Sequence, residues 1–492
     1  MEEDMLRISL ENPTVESLTQ ALYKVIDAYK QLAEKHKKIE AKCAKLEREN
    51  ERLRRQINNN SKNSSKPPSS DQKPSKPPSA DQKASKAANT YNSREKSGRK
   101  KGAQKGHAGK NLARESVREL IDSGKAVHRI VGVGVKSATY ETRYVVDMET
   151  RPVVTEIRFY HGRYGKARIP SHLSSPVTYG AGVRSICTML YSEGVVSNDR
   201  IQTIVHSLSG NLLSVSAGSV YHFCKSFVAS SAPKYDSIKA GLIAEPVVGT
   251  DATTVSINGV QKYIRNFSTD TACLYEPQGA KSIACMKESA VLPKYSGTLV
   301  HDHETALFHF GETHGECNAH IFRYLNKNSE ESGNSWSSQM KSLLSSANKK
   351  RREAIAAGEE SFSEAVIADI EAQYNALLSL GDEQSQKTKG YTARKEERSL
   401  LRRLRKYQEN FLLFLRDFHV PFTNNMSERD LRKCKNRQKM AGGFRDAEGC
   451  DTYCKIMSVV ETWKREGKNL LNEIRNSFET SLAIPHCVPV YL

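Results

Sequence analysis

No stretch of this 492-residue sequence approaches the run of about 18 apolar residues that a conventional membrane-spanning helix needs, so such a span is excluded. The acidic start, Met1–Glu2–Glu3–Asp4, leads into no apolar segment, so no signal peptide is expected. Cysteine is sparse. Ten residues spread over this length form no paired framework, which fits a reducing, cytosolic setting. Apolar residues reach only 38%, and much of the shortfall falls in the first 110 positions, so the packed cores are expected further on. The length exceeds what one core can serve and predicts several domains. Acidic residues are also short: 56 Asp and Glu against 75 Lys and Arg leave a net charge of +19. With a pI near 9.3, the balance points to a polyanionic partner, nucleic acid ahead of an anionic membrane surface.

The opening segment carries a heptad pattern. Leu18, Val25, Leu32, Ile39, Leu46 and Leu53 recur every seven positions, with Leu22, Tyr29, His36, Cys43, Asn50 and Ile57 at the companion position. This predicts a coiled coil over 1–60, pairing copies of the chain as a homodimer or higher oligomer through residues 18–57. Asn50 is the kind of core polar residue that fixes register. An amphipathic helix packed on its own protein is the other reading, because His36, Cys43 and Asn50 make a weak seam. Residues 61–110 hold a near-tandem decapeptide, Ser65–Pro74 and Ser75–Ala84, whose Pro–Pro pairs predict an extended linker. Seven of the 17 residues from Arg94 to Lys110 are basic, so Arg99, Lys100, Lys101 and Lys105 are candidate phosphate contacts, or else a solvated tether.

The texture turns to strands over 111–185, as in Ala126–Val131 and Val153–Tyr160. Residues 186–240 read as helical. Asn198–Leu208 and Ala217–Phe227 form either a helix-turn-helix or a supporting hairpin, and the weakly basic second segment favours the hairpin. From 241 to 324 the sequence predicts an antiparallel meander (246–257, 260–267, 271–276) with a hairpin at Asn258–Gly259 and a fourth strand near 297–302. Charged helices fill 325–410. A helix-rich segment over 411–470 and a tail over 471–492 complete an α+β, multi-domain architecture.

Three carboxylates stand out. Asp251 follows the run Pro246–Thr250, Asp302 closes Gly297–His301, and Glu428 lies in Asn424–Arg429. A desolvated carboxylate at the end of a buried strand, where Asp251 and Asp302 are expected, is costly unless it binds something. Two on successive strands and one on a later helix could hold a pair of divalent ions for phosphoryl transfer. The competing readings are a turn-capping aspartate at 251, a helix N-cap at 302 and a surface salt bridge at 428. Arg432 falls one turn after Glu428, where a cation could hold a phosphate or orient the glutamate, and Arg429 adjoins it.

The chain resembles transposases of the insertion sequence 66 family, of the DDE type. The resemblance is carried by the heptad segment, Asn63–Asp71, Gly106–His107–Ala108–Gly109, Gly249–Thr250–Asp251 and Asp302. It continues through Cys317–Asn318–Ala319–His320 with Arg323, Asn424–Arg429, Gly442–Arg445 and Ser458–Thr462. It implies a ribonuclease-H-like core interrupted by an all-helical insertion, with Asp251, Asp302 and Glu428 as the catalytic, metal-binding triad. It implies two Mg²⁺ ions, with Mn²⁺ able to substitute. The implied activity is cleavage at terminal inverted repeats followed by 3′-OH strand transfer into double-stranded target DNA, in the bacterial cytoplasm at the nucleoid. Accessory proteins encoded with the element are a further expected partner. The rival readings are a catalytically silent DNA-binding descendant and a ribonuclease-H-like nuclease.

One departure concerns zinc. Such transposases commonly carry a zinc-binding cysteine motif after the Gly–His–x–Gly segment. No cysteine occurs here between Cys43 and Cys187, so the 111–185 region reads as a degenerate end-binding domain and zinc is not expected. Cys317 and His320 have ligand-like spacing but are expected to be structural, beside the site. Lys350 and Arg351, in a basic run, and the Arg402–Lys406 cluster are candidate DNA contacts or solvated helix faces. Cys450 and Cys454 at helical spacing, and the rings of Tyr275 and Trp463, read as core packing.

Overall fold

A computed structural model describes residues 14–58, 114–124, 169–193 and 196–481, with positions 128, 130, 146, 150, 152–155 and 157 between them. The expected linker with Arg99, Lys100, Lys101 and Lys105, and most of the expected β-rich domain, lie outside the described residues. The described elements are, in order, α1 (Val15–Asn58), α2 (Arg114–Asp122), α3 (Ala181–Ser192), α4 (Asn198–Leu208), α5 (Ala217–Ser230) and α6 (Ala232–Ala244). Strands β1 (Val247–Ile257), β2 (Val260–Ser268), β3 (Cys273–Gln278), β4 (Thr298–His301) and β5 (Thr313–Glu316) follow. Next come α7 (Asn318–Ser332), α8 (Ser335–Ala356), α9 (Glu364–Lys387), α10 (Tyr391–Lys406) and α11 (Gln408–Arg416). The last helices are α12 (Asn425–Ala441), α13 (Ala447–Arg465) and α14 (Leu470–Ser481). Two compact units result: Asn92–Thr313 with Asn424–Leu492, and Met1–Tyr91 with His314–Thr423.

The first unit is built on a mixed sheet of order β3-β2-β1-β4-β5, the chain leaving the unit within β5. β1 and β2 form the expected hairpin, closing at Ile257↔Val260. Its turn needs two residues in the left-handed region, and Asn258 (φ 51°) and Gly259 (φ 75°) supply them. β2 and β3 continue the antiparallel meander, while β4 joins β1 in parallel on the other side. All four predicted strands are present. Asp251, however, is not at a strand end: β1 runs on for six more residues, because Thr253, Thr254, Val255 and Ile257 keep the chain extended and pairing.

Helix α13 covers the far strand of the meander. Ser458 accepts from the Tyr275 N–H at 2.8 Å and Thr462 from the Cys273 N–H at 3.1 Å, so side chains of a helix satisfy backbone donors of an edge strand. Cys450, Tyr453, Cys454, Met457, Val460 and Trp463 of α13 are buried in one core with Ile264, Phe267, Leu274 and Tyr275 of the sheet. α4 and α5 bury Ile201, Val205, Val220, Phe223 and Phe227 in the same core, and Phe227 meets the Trp463 ring edge-on at 6.0 Å. The helix pair therefore supports the sheet. Both Tyr275 and Trp463 are committed to packing.

The described residues of the second unit between Asn318 and Arg416 are helical. Trp336, Met340 and Leu344 of α8, Ile370, Tyr374 and Leu378 of α9, Leu401 and Leu404 of α10, and Phe411 and Phe414 of α11 share its core. A buried carboxylate organises it. Glu397 accepts from Trp336 Nε1 (2.7 Å), Asn334 Nδ2 (2.7 Å) and Thr388 Oγ1 (2.5 Å). Gly381 has no space for a side chain, since a Cβ there would lie 2.5 Å from Leu401. On α1 the heptad residues Leu18, Leu22, Val25, Tyr29, Leu32, Ile39 and Leu46 are exposed. No helix among the described residues is long and apolar enough to cross a membrane.

Candidate functional site

β1, β4 and α12 bring the three carboxylates of the first unit together. The parallel ladder pairs Gly249 with Val300, so Asp251 and Asp302 each sit two residues past that pair, level with one another. Asp302 leaves β4 directly and is not a helix cap. Glu304 takes the N-cap position of the following 3₁₀ turn, with His303 at a left-handed φ of 69° between them. A non-glycine residue in that region carries strain that its surroundings must hold in place. Glu428 lies in the first turn of α12, its N–H donating to the Asn424 carbonyl at 3.2 Å.

The electrostatics of Asp251 report the convergence. Burial, then the negative charge of Asp302, push its carboxyl from 3.8 up to about 7, and the charge of Glu428 adds to the rise. The Ala252 N–H, 2.7 Å from Asp251 Oδ1, and the Lys281 ammonium oppose it. A partly buried acid held up by two other acids is a site short of positive charge.

Supporting residues fix this arrangement, and the sequence reading had not singled them out. Asn266, the cross-strand partner of Asp251, accepts from the Asp251 N–H at 3.1 Å and donates to the Ser427 carbonyl at 3.2 Å. Asn424 donates to the Thr250 carbonyl at 2.8 Å. Gly249 allows the close approach of helix to strand: a Cβ there would lie 2.7 Å from Asn424 Oδ1 and 2.8 Å from Ser427 Oγ. Beneath them Asp430 accepts from Ser268 Oγ at 2.7 Å and pairs with Arg465 at 2.5 Å. On the other face of β2 the buried Arg265 bonds Thr250 Oγ1 (3.2 Å) and Glu304 (2.7 Å), anchoring the turn that follows Asp302. The signal for these lay in β2, where Arg265 and Asn266 interrupt the apolar positions Ile264 and Phe267. Gly443, at φ 137°, has a similar role at the far end of β1. A side chain there would meet the Ser256 carbonyl, to which the Phe444 N–H donates at 2.8 Å.

Other predicted residues have varied settings. Arg429 and Arg432 are exposed on α12, and Lys350 is exposed on α8. Arg351 corrects the expectation: it is buried, donates to the Phe418 and Val420 carbonyls and lies over the Phe418 ring, so it serves the helical core. Arg403, in the second basic cluster, pairs with buried Glu316 at 2.9 Å and is likewise internal, whereas Arg402, Arg405 and Lys406 are exposed. Cys317 is the buried N-cap residue of α7, and His320 follows in its first turn, both in the helical unit. Cys450 and Cys454 are fully buried.

Comparison with known proteins gives a family for the chain. The family model described as Transposase IS66 family matches residues 179–452, more than half of the chain and a span holding all three carboxylates. A second model, Family of unknown function (DUF6444), matches residues 10–74. No curated protein matches the sequence. By its fold-bearing span the chain belongs to the IS66 family of transposases.

Proposed function

We propose that the chain is a DDE-type DNA transposase with a ribonuclease-H-like core, which binds the terminal inverted repeats of its element, cleaves there and joins the freed 3′-OH to target DNA. The observation that carries this reading is the action of the Asp302 and Glu428 charges on Asp251. The meander flanked by a parallel fourth strand supports the core assignment, and the helical unit between Asp302 and Glu428 supports the insertion.

An all-oxygen donor set with excess negative charge fits a hard divalent cation. Asp251, Asp302 and Glu428 would hold two Mg²⁺ ions, or Mn²⁺ in their place, and these would supply Lewis acidity to the attacking and leaving oxygens of a phosphodiester. The chain's own groups set the stage. Asn266 and Asn424 fix the glutamate helix against β1, and Arg265 with Glu304 holds the turn behind Asp302. Exposed Arg429 and Arg432, one turn or less from Glu428, would hold DNA phosphates, and exposed Lys350 of the helical unit would be a further phosphate contact. Arg99, Lys100, Lys101 and Lys105 would track the backbone from the linker. Cys317 and His320 are assigned a structural role, with no zinc. The exposed heptad face of α1 would pair two copies to hold two DNA ends, in the bacterial cytoplasm and with any accessory proteins of the element.

The test is incubation of the full chain with labelled duplex carrying the terminal repeats and Mg²⁺. Cleavage that leaves a 3′-OH, followed by joined products, is expected. Retention of the repeats without cleavage under Mg²⁺ or Mn²⁺ would instead identify a silent DNA-binding protein.

A further inference from the structure

Asn266 is fully buried, and its one amide touches both elements that carry the site. Its oxygen accepts the Asp251 N–H at 3.1 Å, and its nitrogen donates to the Ser427 carbonyl at 3.2 Å and to Ser268 Oγ at 3.0 Å. Residues 427 and 428 are consecutive, so this amide joins the backbone beside one carboxylate to the backbone beside another. A buried amide that filled space would need only satisfied polar atoms, which neighbours on its own strand could supply. Here one partner, Ser268, is on its own strand, but the other two lie on β1 and α12, the two elements whose carboxylates act on each other.

Ser268 extends the connection. Its hydroxyl donates to Asp430 on α12, one helical turn from the Asn266 contact, and Asp430 is held in turn by Arg465 of α13. The first two turns of α12 are therefore fixed to β2 at two heights. Mutual repulsion among Asp251, Asp302 and Glu428 acts to separate strand and helix, and this pair of polar anchors opposes it.

We infer that Asn266 is a positioning residue for the carboxylate site, setting the separation of Asp251 and Glu428 through the backbone on either side. This rests on the reading of Asp251, Asp302 and Glu428 as a divalent-metal site. Partners that orient metal-binding groups typically change affinity by about 10- to 100-fold when removed.

The experiment measures Mn²⁺ binding to the full chain by titration calorimetry without DNA, alongside the urea midpoint without metal. Asn266→Ala is expected to bind Mn²⁺ about tenfold more weakly while keeping a cooperative unfolding transition. Wild-type Mn²⁺ affinity in a folded Asn266→Ala protein would overturn the inference. Should that variant not fold, Asn266→Ser retains a small acceptor for the Asp251 N–H and lacks the reach to Ser427. It is expected to weaken binding in the same direction, and wild-type affinity would again overturn the proposal. Glu428→Gln separates the two levels. Loss of Mn²⁺ binding there, with none in Asn266→Ala, removes the positioning role and leaves the site. Wild-type affinity in Glu428→Gln removes the site itself, and the inference with it.

Discussion

The side-chain amide of Asn424 donates to the carbonyl of Thr250 at 2.8 Å, tying the residue that caps the glutamate helix to the residue before Asp251. Both are buried, so the bond has no water to replace it. Removing one partner of a buried hydrogen bond costs on the order of 1–3 kcal/mol. Asn424→Ala is therefore expected to lower unfolding stability by about that amount in a urea titration, and to reduce DNA cleavage beyond what the lost stability explains.

Gly249 allows that contact by lacking a side chain. Gly249→Ala places a methyl 2.7 Å from Asn424 Oδ1 and 2.8 Å from Ser427 Oγ, so the side chains that seat α12 on β1 must leave their positions. A misplacement of about 1 Å between reacting groups can cost about a hundredfold in rate. The variant is expected to fold and to lose cleavage by roughly that factor, read as the single-turnover rate constant at saturating protein.

The raised pKa of Asp251 gives the metal-free protein a defined pH response. An unfolded aspartate titrates near 3.8 and the folded one near 7, so between those values the native state holds the extra proton. Stability in a chelator is thus expected to fall as pH rises through that window, the reverse of a salt-bridged aspartate. Asp251→Asn removes this slope. Added Mg²⁺ raises the melting temperature more at pH 8 than at pH 5, because protons no longer compete for the carboxylates. Thermal scans at several pH values with and without Mg²⁺ check both.

In the helical unit, Glu397 accepts from four side chains: Asn328, Asn334, Trp336 and Thr388. Glu397→Ala leaves the Trp336 indole N–H buried without its acceptor, and is expected to destabilise by about 3 kcal/mol. Glu397→Gln, which retains one acceptor oxygen, is expected to cost less. The comparison is made by urea denaturation followed through tryptophan fluorescence in a Trp463→Phe background, where Trp336 alone reports.

Much of the fold could be read from local signals. The Asn258–Gly259 turn requires left-handed residues, the Val- and Thr-rich runs extend, and α4 and α5 begin at positions 198 and 217, as their apolar spacing predicts. The three carboxylates were visible because each sits in its own local context. What escaped were residues defined by long-range contact. Asn266 and Ser427 are 161 positions apart, and nothing in the sequence near either names the other. Arg351 misled for the same reason. In sequence it belongs to a basic run, but the chain returns at Phe418 and Val420 to offer it carbonyls. The full length of β1 was legible, by contrast, because Thr253, Thr254, Val255 and Ile257 favour an extended chain.

The central claim is that Asp251, Asp302 and Glu428 act together on DNA. The most direct measurement is metal-dependent cleavage of a terminal-repeat duplex by wild type, Asp251→Asn, Asp302→Asn and Glu428→Gln, each first shown by its unfolding transition to be folded. Loss of cleavage in all three variants, with binding to the duplex retained, is the predicted result. Wild-type cleavage by any one of them would contradict the account.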